Sequence, residues 1–192
     1  MPELILASTS PYRRGLLERL HLPFTAVAPR VAEDPLEGEL PADRALRLSI
    51  AKAQAVAAHH RQAVVIGSDQ VACAGHQLLE KPGDAARCRA QLAAASGASV
   101  RFHTGCALIG LNTGIRLVHL DTTTVFFRAL REPEIERYVQ RERPFDCAGG
   151  FRAEGLGISL FESIESVDPT ALIGLPLIWL SGALRRAGFV LP

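Results

Sequence analysis

The sequence predicts an α/β fold built on a mixed, twisted sheet with flanking helices, and three observations point to it. Two short apolar runs, residues 4–7 and 63–66, have the length and composition of buried strands. Between them, residues 42–60 carry apolar side chains at helical spacing. Two hairpin signals, Gly75-His76 and Asn112-Thr113-Gly114, then argue against a purely parallel sheet.

Each element follows from local chemistry. The first strand, Leu4 to Ala7, stops where Ser8 and Ser10 introduce small polar side chains. Ser10 takes the N-cap place of the next helix and Pro11 its first position, with Leu16, Leu17 and Leu20 as the apolar face. Residues 24–28 read as a second strand, and the acidic, proline-containing residues 30–41 as an exposed loop. The helix over 42–60 turns Ala45, Leu48, Ala51, Ala55 and Val56 inward. The strand at 63–66 ends in Gly67-Ser68-Asp69-Gln70, with 71–74 as its continuation and 77–80 as the returning arm of a hairpin. Asp84 caps a helix that Ser96-Gly97 closes. Residues 99–111 and 115–129 are long strands, 132–142 a helix, 149–157 a glycine-rich loop, and 170–187 a closing helix. No repeat or low-complexity segment interrupts the chain, which reads as one domain over 1–192.

Composition narrows the class. The chain is 48% hydrophobic and 21% charged, ordinary globular usage. Its 21 Lys+Arg against 20 Asp+Glu leave no broad basic face for duplex nucleic acid, though they allow a small basic pocket. Two Tyr and one Trp are few for a single-strand stacking platform. Cys73, Cys88, Cys106 and Cys147 have no C-x-x-C spacing and read as buried thiols of a reducing compartment. The most apolar stretch, 171–184, is too short to span a bilayer and is broken by Pro176, and the N-terminus has only the short apolar run at 4–7. The expectation is a cytoplasmic protein with no membrane and no nucleic-acid partner.

Four places break local rules. Arg13 and Arg14 sit in the opening turn of a helix, facing the positive end of its dipole. An anion there would reverse the sign, since helix N–H groups, Ser8, Ser10 and a guanidinium would converge on phosphate; two solvated arginines are the alternative. Asp69 places a carboxylate at the end of an apolar strand, which points to a hard cation or to proton transfer from water, with a turn-forming Ser-Asp pair as the alternative. Lys52 and Lys81 are the only lysines in an arginine-rich basic inventory, and a compact ammonium suits a phosphate contact as readily as it solubilises a surface. Glu154, among Gly149, Gly150, Gly155 and Gly157, is either a loop acid in water or an acceptor for a purine edge. Neither a G-x-x-x-x-G-K-[ST] loop nor a strand-linked G-x-G-x-x-G is present, and the histidines, His59-His60 included, lack metal-ligand spacing.

Read in order, these residues resemble a known family. Leu6-Ala7-Ser8-Thr9-Ser10-Pro11-Tyr12-Arg13-Arg14 is similar to the opening signature of the Maf nucleotide pyrophosphatases. The likeness runs on through Glu33, Lys52-Ala53, Gly67-Ser68-Asp69-Gln70-Val71, Lys81-Pro82, Ser96-Gly97, Cys147-Ala148-Gly149, Glu154-Gly155-Leu156-Gly157 and Ile173-Gly174-Leu175-Pro176. The resemblance implies two lobes around a central cleft, a divalent cation (Mg²⁺ or Mn²⁺), release of pyrophosphate and a homodimer. It makes Asp69 the general base, places Glu33 and Asp69 at the metal, and sets Ser8, Arg13, Lys52 and Lys81 along the triphosphate. Tyr12, Gln70 and Glu154 fall where the family sorts its substrates. An aromatic, Gln and Glu there resemble the branch acting on 7-methyl-GTP; the dTTP and UTP branch carries Arg, Thr and Gln. A base made cationic by methylation suits an aromatic face and a carboxylate. Two departures are Tyr12, where the branch usually has Trp, and Ala32, where many members carry an acid before the residue matching Glu33. The competing expectations are a dTTP/UTP pyrophosphatase and a non-catalytic nucleotide-binding regulator of cell division.

Overall fold

A computed structural model describes residues 2–75 and 77–192. In chain order the described elements are β1 (Leu4–Ala7), α1 (Pro11–Glu18), β2 (Thr25–Ala26), α2 (Pro41–Ala57), β3 (Val64–Ala74), β4 (Gln77–Leu79), α3 (Ala85–Ala95), β5 (Ser99–Gly110), β6 (Ile115–Phe127), α4 (Glu132–Glu142), β7 (Phe161–Glu165) and α5 (Leu177–Arg186). The strands lie in the order β2-β1-β3-β5-β6-β7, with β4 beside β3. β1 runs parallel to β2 and β3, whereas β4 and β7 run antiparallel to β3 and β6. The sheet is mixed, as the hairpin signals require. His76, half of the first of those signals, lies outside the described residues.

The chain divides into two compact units: residues 1–70, 104–121 and 168–192 form the first, and 71–103 with 122–167 the second. In the first unit β1 is buried on both faces, which is why it reads as an unbroken apolar run. Leu4 and Leu6 join Val64, Ile66, Leu108, α1 and α5 in one cluster; Ile5 and Ala7 join Val65, Ala107 and α2 in another. The two-residue alternation of a strand thus builds two half-cores from one tetrapeptide. In the second unit Phe102, Phe127, Phe151 and Phe161 pack edge to face, with centroids 4.8–5.5 Å apart.

Several expectations need correction. β3 is one continuous strand of 11 residues, so Asp69 lies in its middle and not at its end. Polar Ser68, Asp69 and Gln70 stay in the ladder because each side chain finds a partner. β2 keeps only Thr25–Ala26 of the predicted 24–28. The closing helix is split: a 3-10 turn over Ala171–Ile173 ends at Gly174, left-handed at φ 114°, and α5 begins only after Pro176. The first N–H groups of α5 are met from the preceding loop. Leu177 N donates to Thr170 Oγ1 at 2.8 Å and Ile178 N to Asp168 Oδ2 at 2.7 Å. β7 is unannounced in the sequence, being short, mostly exposed and adjacent to the glycine-rich loop.

Candidate active site

The site is assembled at the point where α2 crosses β3. Two glycines allow that approach. A Cβ on Gly67 would strike the Ser49 carbonyl oxygen and stand 2.6 Å from Ala53 N; one on Gly105 would strike the Ala45 carbonyl oxygen and stand 2.9 Å from Leu46 Cα. Since the obstacles are helix backbone, neither could yield, and the bare strands let α2 settle on the sheet. Lys52 then turns inward with its side chain only 8% exposed. Its ammonium donates to Asp69 Oδ1 at 2.6 Å and pairs with Glu33 Oε1 at 2.7 Å. The surface reading of Lys52 is thereby excluded: a buried ammonium bridges two carboxylates.

Glu33 comes from the acidic loop, which α2 ties down. Arg44 Nη2 donates to the Glu33 carbonyl oxygen at 2.9 Å, and Arg47 Nη2 to that of Asp34 at 3.1 Å. Arg47 also forms a fork on Glu39, with contacts of 2.5 and 2.7 Å, and this holds the Glu39 carboxyl down at about 2 against the opposing effect of burial. The sequence reading missed this anchor. Arg44 and Arg47, three apart on a helix that follows an acidic loop, were its available signal.

At the start of α1, Ser10 caps as expected, accepting from Arg13 N at 3.3 Å. Ser8 is buried and accepts from Ser10 N at 3.1 Å, while Tyr12 is half-buried and Arg14 is exposed beside Glu18. Arg13 is half-buried, and its Nε donates to the Gly174 carbonyl oxygen at 3.0 Å. Burial lowers the pKa of its guanidinium, opposed by the negative charges of Asp69 and Glu33 and by Cys106. Arg13 therefore lies within the field of the same two acids that Lys52 bridges. Burial also pushes the neighbouring Cys106 thiol up to about 12, so it is no thiolate nucleophile.

A second layer of bonds fixes the turn that carries Gly174. Ser68 Oγ lies 2.8 Å from the Gly174 oxygen and 2.9 Å from that of Gly105. Gln70 Nε2 donates to Thr104 Oγ1 at 2.9 Å and to the carbonyl oxygens of Ala171 and Leu172, both at 3.0 Å. Thr104 Oγ1 in turn donates to the Ala171 oxygen at 2.9 Å. The amide nitrogen of Gln70 is thus engaged by protein, and Thr104, absent from the sequence reading, is part of the same clasp.

Ser8, Tyr12, Arg13, Glu33, Lys52, Asp69 and Gln70 all belong to the first unit; Lys81 and Glu154 belong to the second. Lys81 is exposed, just before buried Pro82. Glu154 lies in the glycine-rich loop, its Oε1 3.9 Å from Arg152 Nε.

The first unit has two carboxylates, Glu33 and Asp69, that each place an oxygen on the Lys52 ammonium. Among the described residues no group of three or more His, Cys, Asp or Glu is placed to hold a metal. Two hard oxygen donors fit a cation of the Mg²⁺ type, which keeps several waters and completes its shell with phosphate oxygens. Also among the described residues, no helix is long and apolar enough to cross a membrane.

The chain matches the family model described as Maf-like protein over residues 3–187. It is 56% identical over 192 residues to a 7-methyl-GTP pyrophosphatase of Xanthomonas oryzae pv. oryzae, covering 100% of both chains. Similar proteins bearing the same name are found in Aromatoleum aromaticum (51% over 190 residues, 99% of this chain and 98% of the relative) and Bordetella avium (53% over 188 residues, 97% and 94%). Among solved structures, a Staphylococcus aureus Ham1 protein aligns with 65% of this chain and 71% of its own at a TM-score of 0.45 and 14% identity.

Proposed function

This chain belongs to the Maf family, and from that membership we propose that it hydrolyses 7-methyl-GTP to the monophosphate and pyrophosphate. Full-length relatives that carry this activity in their names support the substrate. The observation that carries the chemistry is the buried Lys52 ammonium between Asp69 at 2.6 Å and Glu33 at 2.7 Å.

In this reading Ser8, Arg13, Lys52 and Lys81 bind the triphosphate. Arg13 is suited to an anion because its fork is half-buried and its orientation is set by the Gly174 carbonyl. Asp69 takes the proton of the attacking water as the bond between the α- and β-phosphates breaks. Glu33 and Asp69 would hold a divalent cation, which when bound draws in phosphate oxygens and spreads the charge of the departing pyrophosphate. Tyr12 offers an aromatic face to the cationic base, and Glu154 accepts from the N1–H and N2–H₂ edge of guanine. Gln70 contributes to selectivity by holding the turn over Ala171–Ile173, where its amide protons are already committed. Cys73, Cys88 and Cys106 are buried and Cys147 is half-buried, which suits a reducing compartment, and we assign the activity to the cytoplasm.

Pyrophosphate release with Mg²⁺ or Mn²⁺ from 7-methyl-GTP, GTP, dTTP, UTP, CTP and ATP tests the proposal. Preference for 7-methyl-GTP is expected. Preference for dTTP or UTP would keep the chemistry and overturn the base assignment. No release from any of them would leave the nucleotide-binding regulator as the better reading.

A further inference from the structure

Glu142 is the last residue of α4, where an acid faces the negative end of the helix dipole. Its side chain is also only 13% exposed, so burial adds to the cost. A helix needing only a stable end would place a cation there, as Arg141 next to it does. Two unfavourable choices at one residue mark a position held for something other than the helix.

What surrounds that carboxylate is the glycine-rich loop. Leu156 N donates to Glu142 Oε2 at 2.8 Å, and Arg152 Nη1 pairs with Oε1 at 3.3 Å. Gly155 makes room, for a Cβ there would stand 2.6 Å from Oε1. Arg152 is fixed at its root as well, its N–H donating to Tyr138 Oη at 3.1 Å. The same guanidinium reaches the other acid of the loop, with Nε 3.9 Å from Glu154 Oε1. One cation is therefore shared between a nearly buried carboxylate and a more exposed one, at 13% and 30%.

We infer that Glu142 is a positioning residue for base selection: by engaging Arg152 it keeps that guanidinium from neutralising Glu154, whose charge then remains available to a cationic purine. The inference rests on the proposed reading of Glu154. Discrimination between 7-methyl-GTP and GTP depends on the net negative charge that the base meets, because the two bases differ by one positive charge as well as a methyl group. Removing the charge of Glu142 leaves Glu154 as the remaining acid of the pair for Arg152.

The test is the ratio of kcat/KM for 7-methyl-GTP to that for GTP in four variants, with thermal melting as the check on folding. E142Q keeps an oxygen for Leu156 N and removes the charge; it is expected to lower the ratio roughly three- to fivefold, the scale of an exposed charge pair. R152Q is expected to keep or raise the ratio, and E142Q/R152Q to return it toward that of the unaltered protein. A purely structural role would lower kcat/KM for both substrates equally and give no recovery in the double variant, and that pattern would overturn the inference. E154Q separates the two layers. If it lowers the ratio while E142Q does not, the role of Glu142 alone fails; if E154Q leaves the ratio unchanged, the base reading fails and this inference with it.

Discussion

The middle of β3 and the glycine-rich loop at 149–157 both gather charged residues around glycines, yet they are built on opposite terms. Around β3 most polar groups are buried and multiply bonded: Lys52 meets buried Asp69 and the exposed Glu33, Ser68 lies near two carbonyls, and the half-buried Gln70 reaches three acceptors. Its glycines face helix backbone. In the loop, the charges of Arg152 and Glu154 are about a third exposed, and Gly155 faces the movable end of a side chain. Removing a side chain from a buried, over-determined network leaves its partners unsatisfied, so only near-isosteric changes there spare the fold. Exposed charges on a permissive loop can adjust selectivity at little cost in stability.

The sharpest way to probe the first region is Asp69→Asn. Turnover is expected to fall by about 10²–10⁴-fold, the range of a general base, with the fold and much of the nucleotide affinity retained. Steady-state pyrophosphate release and a binding titration check it, and a rate equal to that of the unaltered protein would remove Asp69 from its role. Next in size is a matched pair of glycine variants. Gly67→Ala must push α2 off the sheet and should cost about 3 kcal/mol in urea unfolding, whereas Gly155→Ala, opposed by a side-chain oxygen, should cost under about 1 kcal/mol. Equal losses at both sites would erase the contrast between the two regions.

Smaller still is Thr104→Val, which removes a buried hydroxyl from the clasp on the Ala171 carbonyl and leaves Gln70 short of a partner. A loss of about 1–2 kcal/mol is expected, with Thr104→Ser recovering most of it. The smallest effect concerns the loop that carries Glu33. The Glu39 carboxyl is held at about 2 by the hydrogen bonds from Arg47, below an ordinary value of 4.5. A depressed acid stabilises fully above its unfolded pKa and loses that contribution as pH falls through the folded one. Unfolding midpoints should therefore decline between pH 4.5 and 2 in part through this residue, and Glu39→Gln should flatten the decline in that window. An unchanged slope would show that the Arg47 fork does not stabilise the fold.

By itself the sequence determined what depends on backbone period and local caps. The buried strand at Leu4–Ala7, the Ser10 and Asp84 caps and the bounds of α4 all stand as read, because short apolar runs, the helix period and orphan N–H groups are properties of neighbouring residues. The ordered family motifs likewise singled out Asp69, Lys52 and Arg13 without showing what any of them touches. Tertiary structure decided that. Lys52 finds Asp69 17 residues away because Gly67 and Gly105 let α2 descend onto the sheet. Arg13 finds the Gly174 carbonyl 161 residues away because a left-handed glycine breaks the last helix there. Glu142 wraps the loop bearing Glu154 because Gly155 leaves space for its carboxylate. In each case the partner is chosen by how closely two backbones can approach, and that distance follows from packing between elements, which no local pattern encodes.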